Sequence, residues 1–255
     1  MTDDSAVALL RGFLAEAPLY FALVRSVECR LLLDAAPLTP PVLDLGCADG
    51  FLAGSAFARP PEVGLDPHLP SLLASRAHRF RVAADATRAP FRAESFSTIV
   101  ANSVLEHIPG IDAAVSECAR ILRPGGRLLI TAPSHRFTDG LLGAWFWRGY
   151  AGWFNRLSRH FHTDSIETWS QRLERHGLRV ERSFYYFDRD AMRAFDLSHY
   201  LSLPRLASRR LLGCHRFLPD PLTGPIWAAW LAPHVSRALR DPQKGAYLFL
   251  DVRKP

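Results

Sequence analysis

Residues 42–50, VLDLGCADG, constrain the fold of this chain more than any other stretch. Four residues typical of a buried strand lead into Gly46, and a helical pattern begins at Gly50 and runs to Phe57. A glycine-rich turn between a strand and a helix lets a ligand approach the backbone, where the first helical N–H groups are free. The stretch therefore predicts a nucleoside-binding loop at the edge of an α/β sheet.

The rest of the chain continues the alternation of strands and helices. Predicted strands cover residues 42–45, 62–65, 80–83, 96–101, 127–131, 178–187 and 245–252. Predicted helices cover residues 6–33 with a break near Pro18, 50–57, 69–78, 111–122 and 163–176, the last capped by Thr163 or Asp164 and ended by Gly177. This order predicts an α/β fold with a doubly wound, mostly parallel, Rossmann-like sheet.

Three aspartates lie in or just after the ends of the first three predicted strands. Asp66 lies twenty positions beyond Gly46, where an acid can accept both hydroxyls of a ribose. Asp44 lies inside the end of the first strand, where a carboxylate suits a cationic amino group and would repel a pyrophosphate. Asp85 follows the third strand, where it can meet an adenine amino group. Helix capping is the alternative role for each of these side chains.

Two further motifs complete the pattern. Residues 102–109 read NSVLEHIP after the fourth strand, and residues 122–126 read LRPGG before the fifth. Together with the glycine loop and the aspartates, they make the chain resemble class I S-adenosylmethionine-dependent methyltransferases, in the broad group related to ubiquinone and menaquinone biosynthesis enzymes (type 11). The resemblance implies a seven-stranded sheet whose last strand is antiparallel and lies beside the sixth.

The resemblance also implies S-adenosylmethionine as the cofactor. It assigns to that cofactor the residues Asp44, Gly46, Cys47, Asp66, Pro67, Asp85, Ala86 and Asn102. The first three would hold the methionine part, and the acid after the second strand would hold the ribose hydroxyls, with the following proline beside the adenine. The pair after the third strand would meet the adenine edge. The asparagine would lie under the methionine and the sulfonium.

The sequence departs from the family pattern at two positions. Ala48 stands where the loop usually has glycine, and it is tolerable there if its φ is negative. Ser103 stands where some relatives have the first acid of a Glu-x-x-Glu-His metal site, which leaves Glu106 and His107. Because two ligands make a poor magnesium site, no metal is predicted.

Methyl transfer needs a base only when the acceptor keeps its proton. His107 is the candidate catalytic base, and bracing of its own loop is the alternative role. His160 and His162 precede a strong helix and could face the substrate pocket. Loop contacts are the alternative role for this His-x-His pair, ahead of metal binding.

Two segments outside the sheet are expected to form a helical cap over the substrate. Residues 134–162 and 189–243 hold five of the six tryptophans and carry net charges of +3 and +4, against +6 for the whole chain. Aromatic, arginine-rich segments favour a small-molecule acceptor that is apolar or lipid-like, and contact with a membrane surface is a possible addition. Nucleic acid is an unlikely partner because no RNA-binding module is present. The sequence carries no signal for an oligomeric state.

The pattern predicts one methyltransferase domain over residues 1–255. Within it, residues 1–36 are an N-terminal helical segment and residues 37–133 are the cofactor-binding half. A cytoplasmic location is expected, since the sequence shows neither a signal-peptide pattern nor a membrane-spanning run. An NAD-type Rossmann oxidoreductase and a catalytically silent methyltransferase-like binding protein stay as alternatives. The position of Asp44 and the lack of a G-x-G-x-x-G spacing argue against the first.

Overall fold

The computed structural model describes residues 3–203, 220–236, 241 and 243–255. Part of the predicted second cap segment, namely residues 204–219, 237–240 and 242, therefore lies outside the described residues.

A seven-stranded sheet forms the centre of the described fold. Its strands are β1 (Val42–Leu45), β2 (Val63–Leu65), β3 (Phe80–Val82), β4 (Phe96–Asn102), β5 (Leu122–Pro133), β6 (Arg179–Tyr186) and β7 (Tyr247–Arg253). They lie in the order β3-β2-β1-β4-β5-β7-β6. All pairs are parallel except those of β7, which runs antiparallel to both β5 and β6. The predicted sheet and the position of its last strand are confirmed.

Helices cover both faces of the sheet. The described α-helices are α1 (Asp3–Glu16), α2 (Leu19–Ala35), α3 (Phe51–Ala56), α4 (Leu69–Ala74), α5 (Ile111–Ile121), α6 (Tyr150–Leu157), α7 (Ile166–Arg175), α8 (Arg189–Leu201) and α9 (Asp220–Ser236). Successive strand residues enter opposite cores, because side chains alternate across a sheet. Leu128 and Ile130 join one core with α5 and α7, whereas Leu129 joins the other with α1 and α2.

Three predicted boundaries are wrong, each for a local reason. Helix α4 ends at Ala74 instead of residue 78, because Ser75 is extended and His78 turns inward. The turn predicted at residues 123–126 is part of β5, since Leu122 already pairs with Phe96 and the Gly125 N–H donates to the Lys254 carbonyl at 2.8 Å. Helix α7 begins three residues later than predicted.

At the start of α7, one polar residue caps the helix and its neighbour forms an ion pair. Ser165 is the N-cap, and its Oγ accepts from the Thr168 N–H at 3.3 Å. Asp164, predicted as a cap, instead pairs with Arg172 at 2.7 Å. Gly177 ends the helix at a φ of +73°, as predicted.

The first cap segment is fastened to α8 through one buried carboxylate. Asp196 accepts hydrogen bonds from the Leu142 N–H at 2.7 Å and from the Tyr150 hydroxyl at 2.6 Å. The predicted cap segments therefore contact each other where both are described. No helix within the described ranges is long and apolar enough to cross a membrane.

Candidate functional site

The glycine loop borders a cleft of about 540 Å³ at the carboxyl end of β1. Of the eight residues predicted to hold a cofactor, the cleft brings together Asp44, Gly46, Cys47 and Asn102. The opposite wall consists of aromatic and charged residues of α1 and α2, chiefly Phe13, Tyr20, Phe21 and Arg25. Sequence reasoning assigned no site role to these two helices.

Close packing makes Gly46 necessary. Its φ is +72°, and its N–H donates to the Leu65 carbonyl at 2.7 Å. A Cβ at this position would lie 2.1 Å from the Val104 Cγ2 atom. The loop therefore passes directly against the segment that follows β4, and no larger residue fits without a shift of that segment.

Asp44 is a buried carboxylate at the edge of the cleft. Its Oδ2 is 3.0 Å from the Nε2 atom of His78, whose Nδ1 is 2.9 Å from the Ser75 Oγ. Burial raises the pKa of Asp44, and the hydrogen bond to His78 opposes that rise. His78 is a site residue that the sequence did not reveal, because it lies 34 positions from its partner and has no motif of its own.

Ala48 does not meet the condition under which alanine would be tolerated without strain in this loop. Its φ is +46°, in the left-handed region that favours glycine, although the sequence argument required a negative value. Asp66 stabilises this conformation, because its Oδ2 accepts from the Ala48 N–H at 2.9 Å and its Oδ1 accepts from the His68 N–H at 2.7 Å. Asp66 thus fixes the glycine loop.

The residues predicted to meet the ribose and the adenine do not line the cleft. Asp66, Pro67, Asp85 and Ala86 follow β2 and β3 outside its wall. Asp85 is exposed, and its Oδ1 accepts from the N–H and the hydroxyl of Thr87, both at 2.8 Å. This is the capping role given above as the alternative. Cofactor roles for these four residues stay predictions.

Asn102 connects the sheet to α2. Its Nδ2 donates to Glu28 Oε2 at 2.9 Å, and its Oδ1 accepts from the Thr131 hydroxyl at 2.9 Å. Glu28 is fully buried and also accepts from Ser103 and from Arg25. A glutamate four positions after Val24 on a helix with apolar spacing was the only sequence signal for this cluster.

A second cavity, of about 670 Å³, adjoins the first beside α2. Its apolar lining is mostly aromatic and includes Phe137, Tyr150, Trp153, Phe154, Phe195 and Tyr247. Its polar residues include Arg25, Ser103, Glu106, His107, His160 and His199. Tyr20, Phe21 and Arg25 border both cavities, so one stretch of α2 forms the wall between them.

His107 lines this second cavity, and its Nε2 lies 3.8 Å from Glu106 Oε1. Its Nδ1 lies 3.0 Å from the Arg159 carbonyl, which can only accept, so Nδ1 carries the proton and Nε2 keeps its lone pair. Burial lowers the pKa of His107, which keeps the ring neutral near pH 7. This geometry is compatible with a catalytic base, because Nε2 can accept a proton. It is also compatible with the alternative role, because the hydrogen bond from Nδ1 to the Arg159 carbonyl braces the loop after β4.

Glu106 and His160 complete a group around His107. Glu106 is 1 % exposed, and burial raises its pKa to about 8, while burial lowers the pKa of His160 to about 4. Glu106 Oε2 and His160 Nδ1 have no hydrogen-bond partner among the described residues. One ligand atom from each of the three side chains lies within 4.8 Å of the others, a spacing that could also hold a metal ion.

His160 belongs to the segment between α6 and α7, which packs against the loop after β4. The Phe161 N–H donates to the Glu106 carbonyl at 2.9 Å, and His162 Nε2 is 3.1 Å from the Ile108 carbonyl. His160 lines the second cavity, as the sequence suggested, whereas the ring of His162 contacts the loop after β4. The sequence did not indicate that His160 joins Glu106 and His107, because it comes from a segment more than fifty residues away.

Comparison with known proteins identifies the domain. Residues 43–130 match the family described as "Methyltransferase domain". Over these residues the chain is similar to a methyltransferase domain. The match begins in β1 and ends in β5, so it includes the glycine loop, Asp66, Asn102 and His107. The resemblance to class I methyltransferases is thereby confirmed.

Curated relatives match part of the chain. A malonyl-[acyl-carrier protein] O-methyltransferase from Methylococcus capsulatus is 35% identical over 136 residues, which are 49% of this chain and 50% of the relative. A ubiquinone biosynthesis O-methyltransferase from Idiomarina loihiensis is 31% identical over 121 residues, 44% of this chain and 50% of the relative. The chain spans about half the length of these relatives.

A solved structure supports the fold around the methyltransferase domain. Phosphoethanolamine N-methyltransferase 2 from Haemonchus contortus, in complex with S-adenosyl-L-methionine, superposes with a TM-score of 0.57 at 19% identity. The likeness covers 89% of this chain and 52% of that one. The shared architecture therefore extends well beyond residues 43–130.

Proposed function

We propose that this chain transfers a methyl group from S-adenosylmethionine to an oxygen atom of an apolar small molecule. The observation that carries the proposal is the pair of cavities that share α2 as a wall, one beside the glycine loop and one lined by aromatic rings. Two adjacent compartments of different chemistry are what a transfer between a polar donor and an apolar acceptor requires.

The cleft beside the glycine loop fits the methionine end of the cofactor. Asp44 lines the cleft while His78 contacts its Oδ2, so an ammonium group could pair with a carboxylate that is already oriented. Arg25 borders the same cleft and carries the opposite charge, which suits a carboxylate. The bound cofactor would supply a methyl group activated by the sulfonium.

The second cavity fits an apolar acceptor with one polar end. A volume of about 670 Å³ lies within the usual range for small-molecule sites, roughly 300–1,000 Å³. Its rings can enclose the body of the acceptor and exclude water. His107 and Glu106 lie among the few polar groups of this cavity, so the acceptor hydroxyl would be held there.

His107 would accept the proton of that hydroxyl. Its Nε2 lone pair is available because Nδ1 donates to the Arg159 carbonyl. Glu106, protonated near neutral pH because burial raises its pKa to about 8, can donate a hydrogen bond to the acceptor oxygen. The names of the two curated relatives, both O-methyltransferases, also favour oxygen as the acceptor atom.

Calorimetric binding of S-adenosylhomocysteine tests the cofactor assignment without an acceptor. We expect the wild type to bind it and Asp44→Asn to bind at least about tenfold more weakly, since a charge-assisted hydrogen bond is lost. Asp190→Asn, on the exposed side of α8, is the matched control and should bind as the wild type does. Binding of NAD in place of S-adenosylhomocysteine would overturn the proposal in favour of an oxidoreductase.

A turnover assay distinguishes a catalytically silent binding protein from an enzyme. Such a protein would bind S-adenosylhomocysteine and transfer no methyl group to any component of a cell extract. Glu106 Oε2 has no hydrogen-bond partner among the described residues, which favours the enzyme, because a purely structural cluster would have satisfied this atom.

A further inference from the structure

The first cap segment exposes three consecutive aromatic residues. Trp145, Phe146 and Trp147 are 69%, 88% and 51% exposed. The first ends a short 3₁₀ turn (Leu142–Trp145), and the other two follow that turn before α6. Large apolar side chains grouped on a surface lower solubility and are typical of a site that binds a protein or a membrane. We call these three residues the aromatic ridge.

The aromatic ridge is continuous with the acceptor cavity. The ring of Trp147 lies 6.0 Å from that of Trp153, which borders the cavity and is itself 37% exposed. Leu157 and Leu203 also border the cavity and are 60% and 58% exposed. The mouth of the cavity therefore opens onto the same apolar surface.

The charge within the segment that carries the ridge has one sign, and the nearby Arg193 of α8 lies over the Trp145 ring while paired with Asp190. Residues 142–161 contain Arg148, Arg156 and Arg159 and no acidic residue. All three arginines are exposed, and none forms an ion pair with a carboxylate within the described ranges. A second copy of this chain would bring two positive faces together, so the charge opposes a symmetric dimer through this surface.

We infer that the aromatic ridge and its three arginines dock this protein on an anionic lipid bilayer. Tryptophan rings are stable at the boundary between headgroups and acyl chains, and arginines pair with anionic headgroups. Docking in this orientation turns the cavity mouth toward the lipid, so an apolar acceptor enters without crossing water. Only this last step rests on the proposed function, since lipid binding needs no methyl transfer.

Co-sedimentation with vesicles tests the inference on the full chain. The vesicles contain equal parts of phosphatidylglycerol and phosphatidylcholine, or phosphatidylcholine alone. The ridge variant combines Trp145→Ser, Phe146→Ser and Trp147→Ser. The matched control combines Leu69→Ser, Leu73→Ser and Phe80→Ser, which are 50%, 62% and 53% exposed at the other end of the sheet.

We expect the wild type and the control to bind the anionic vesicles and the ridge variant to bind at least about tenfold more weakly. Replacing one of the three arginines by alanine should weaken binding roughly fivefold. High salt should weaken it further. Phe146→Ser alone, at an 88% exposed position, gives a smaller loss in the same direction and keeps the test valid if the triple variant does not fold.

Three results would overturn the inference. The first is equal binding of the wild type and the ridge variant, and the second is equal binding to anionic and neutral vesicles. The third is a wild-type dimer in lipid-free solution, measured by light scattering, that the ridge variant converts to a monomer. The ridge would then contact a second copy. Binding of S-adenosylhomocysteine, measured on the same variants, reports separately on the proposed function.

Discussion

Two residues of the candidate site, Ala48 and Ser103, have left-handed backbone conformations. Ala48 lies in the glycine loop at a φ of +46°, and Ser103 follows Asn102 at a φ of +48°. Each is held by a carboxylate, Ala48 by Asp66 and Ser103 by Glu28. Side chains on other elements therefore impose conformations that these residues would not adopt alone.

Ala48→Gly should stabilise the protein by about 0.5–1 kcal/mol, because glycine removes a left-handed strain of about 1–2 kcal/mol and loses part of that gain to its freer unfolded chain. Urea unfolding measures the difference. Ala53→Gly, inside α3, is the control and should destabilise by about 1 kcal/mol. A loss of stability in Ala48→Gly would contradict the positive φ.

Glu106→Gln should change the pH dependence of stability. Burial raises the pKa of Glu106 in the folded protein to about 8 from 4.5, so its contribution is fully present below about pH 4.5 and is lost as the pH rises through 8. Relative to the wild type, the variant should gain at least about 1 kcal/mol in unfolding free energy between pH 5 and pH 9. The exposed Glu174→Gln is the control. An unchanged difference between the two pH values would show that Glu106 ionises freely.

His107→Gln should lower kcat by about 10²–10⁴-fold, the usual contribution of a positioned base. Its affinity for S-adenosylhomocysteine should stay unchanged, because His107 borders only the acceptor cavity. His135→Gln, an exposed histidine after β5, serves as the matched variant. If kcat survives the loss of His107, the residue only braces its loop.

At the scale of elements, α2 is the part of the site that sequence reasoning missed. The glycine loop was predictable because strand, turn and helix signals follow one another within nine residues. The contacts of Glu28 with Asn102 and Ser103 span more than seventy residues, and no local pattern reports them. His78 and His160 likewise lie beside residues that are distant in sequence, so no local pattern indicated these neighbours.

Glu28→Gln should destabilise the protein by about 2–4 kcal/mol, because it breaks a buried charge pair with Arg25 and weakens two further hydrogen bonds. Asp190→Asn breaks an exposed pair with Arg193 and should cost less than about 0.5 kcal/mol. Denaturant unfolding compares the two. Equal losses would mean that α2 is not tied to the sheet through Glu28.

At the scale of the whole molecule, the sheet could be predicted from the sequence in more detail than the two predicted cap segments. The sheet and its edge follow from hydrophobic alternation, which acts over a few residues. The cap depends on long-range contacts such as those of Asp196 with Leu142 and Tyr150, so its two segments were foreseen only by composition. Its aromatic and basic character, however, was evident in the sequence and matches the cavity that it encloses.

Removal of metal ions should leave methyl transfer unchanged, since the proposed reaction needs only alignment and a base. The rate in excess chelator, compared with the rate in added zinc or manganese, checks this expectation. A rate that falls with chelator and returns with metal would assign Glu106, His107 and His160 to a metal ion instead.

Transfer of labelled methyl groups tests the central claim most directly. The protein is incubated with methyl-labelled S-adenosylmethionine and a cell extract, and the products are partitioned between organic solvent and water. The two-cavity arrangement predicts label in the organic phase, lost in Asp44→Asn and retained in Asp190→Asn. Label that stays in the aqueous phase, or enters nucleic acid, would contradict an apolar acceptor, and no transfer at all would contradict the enzyme.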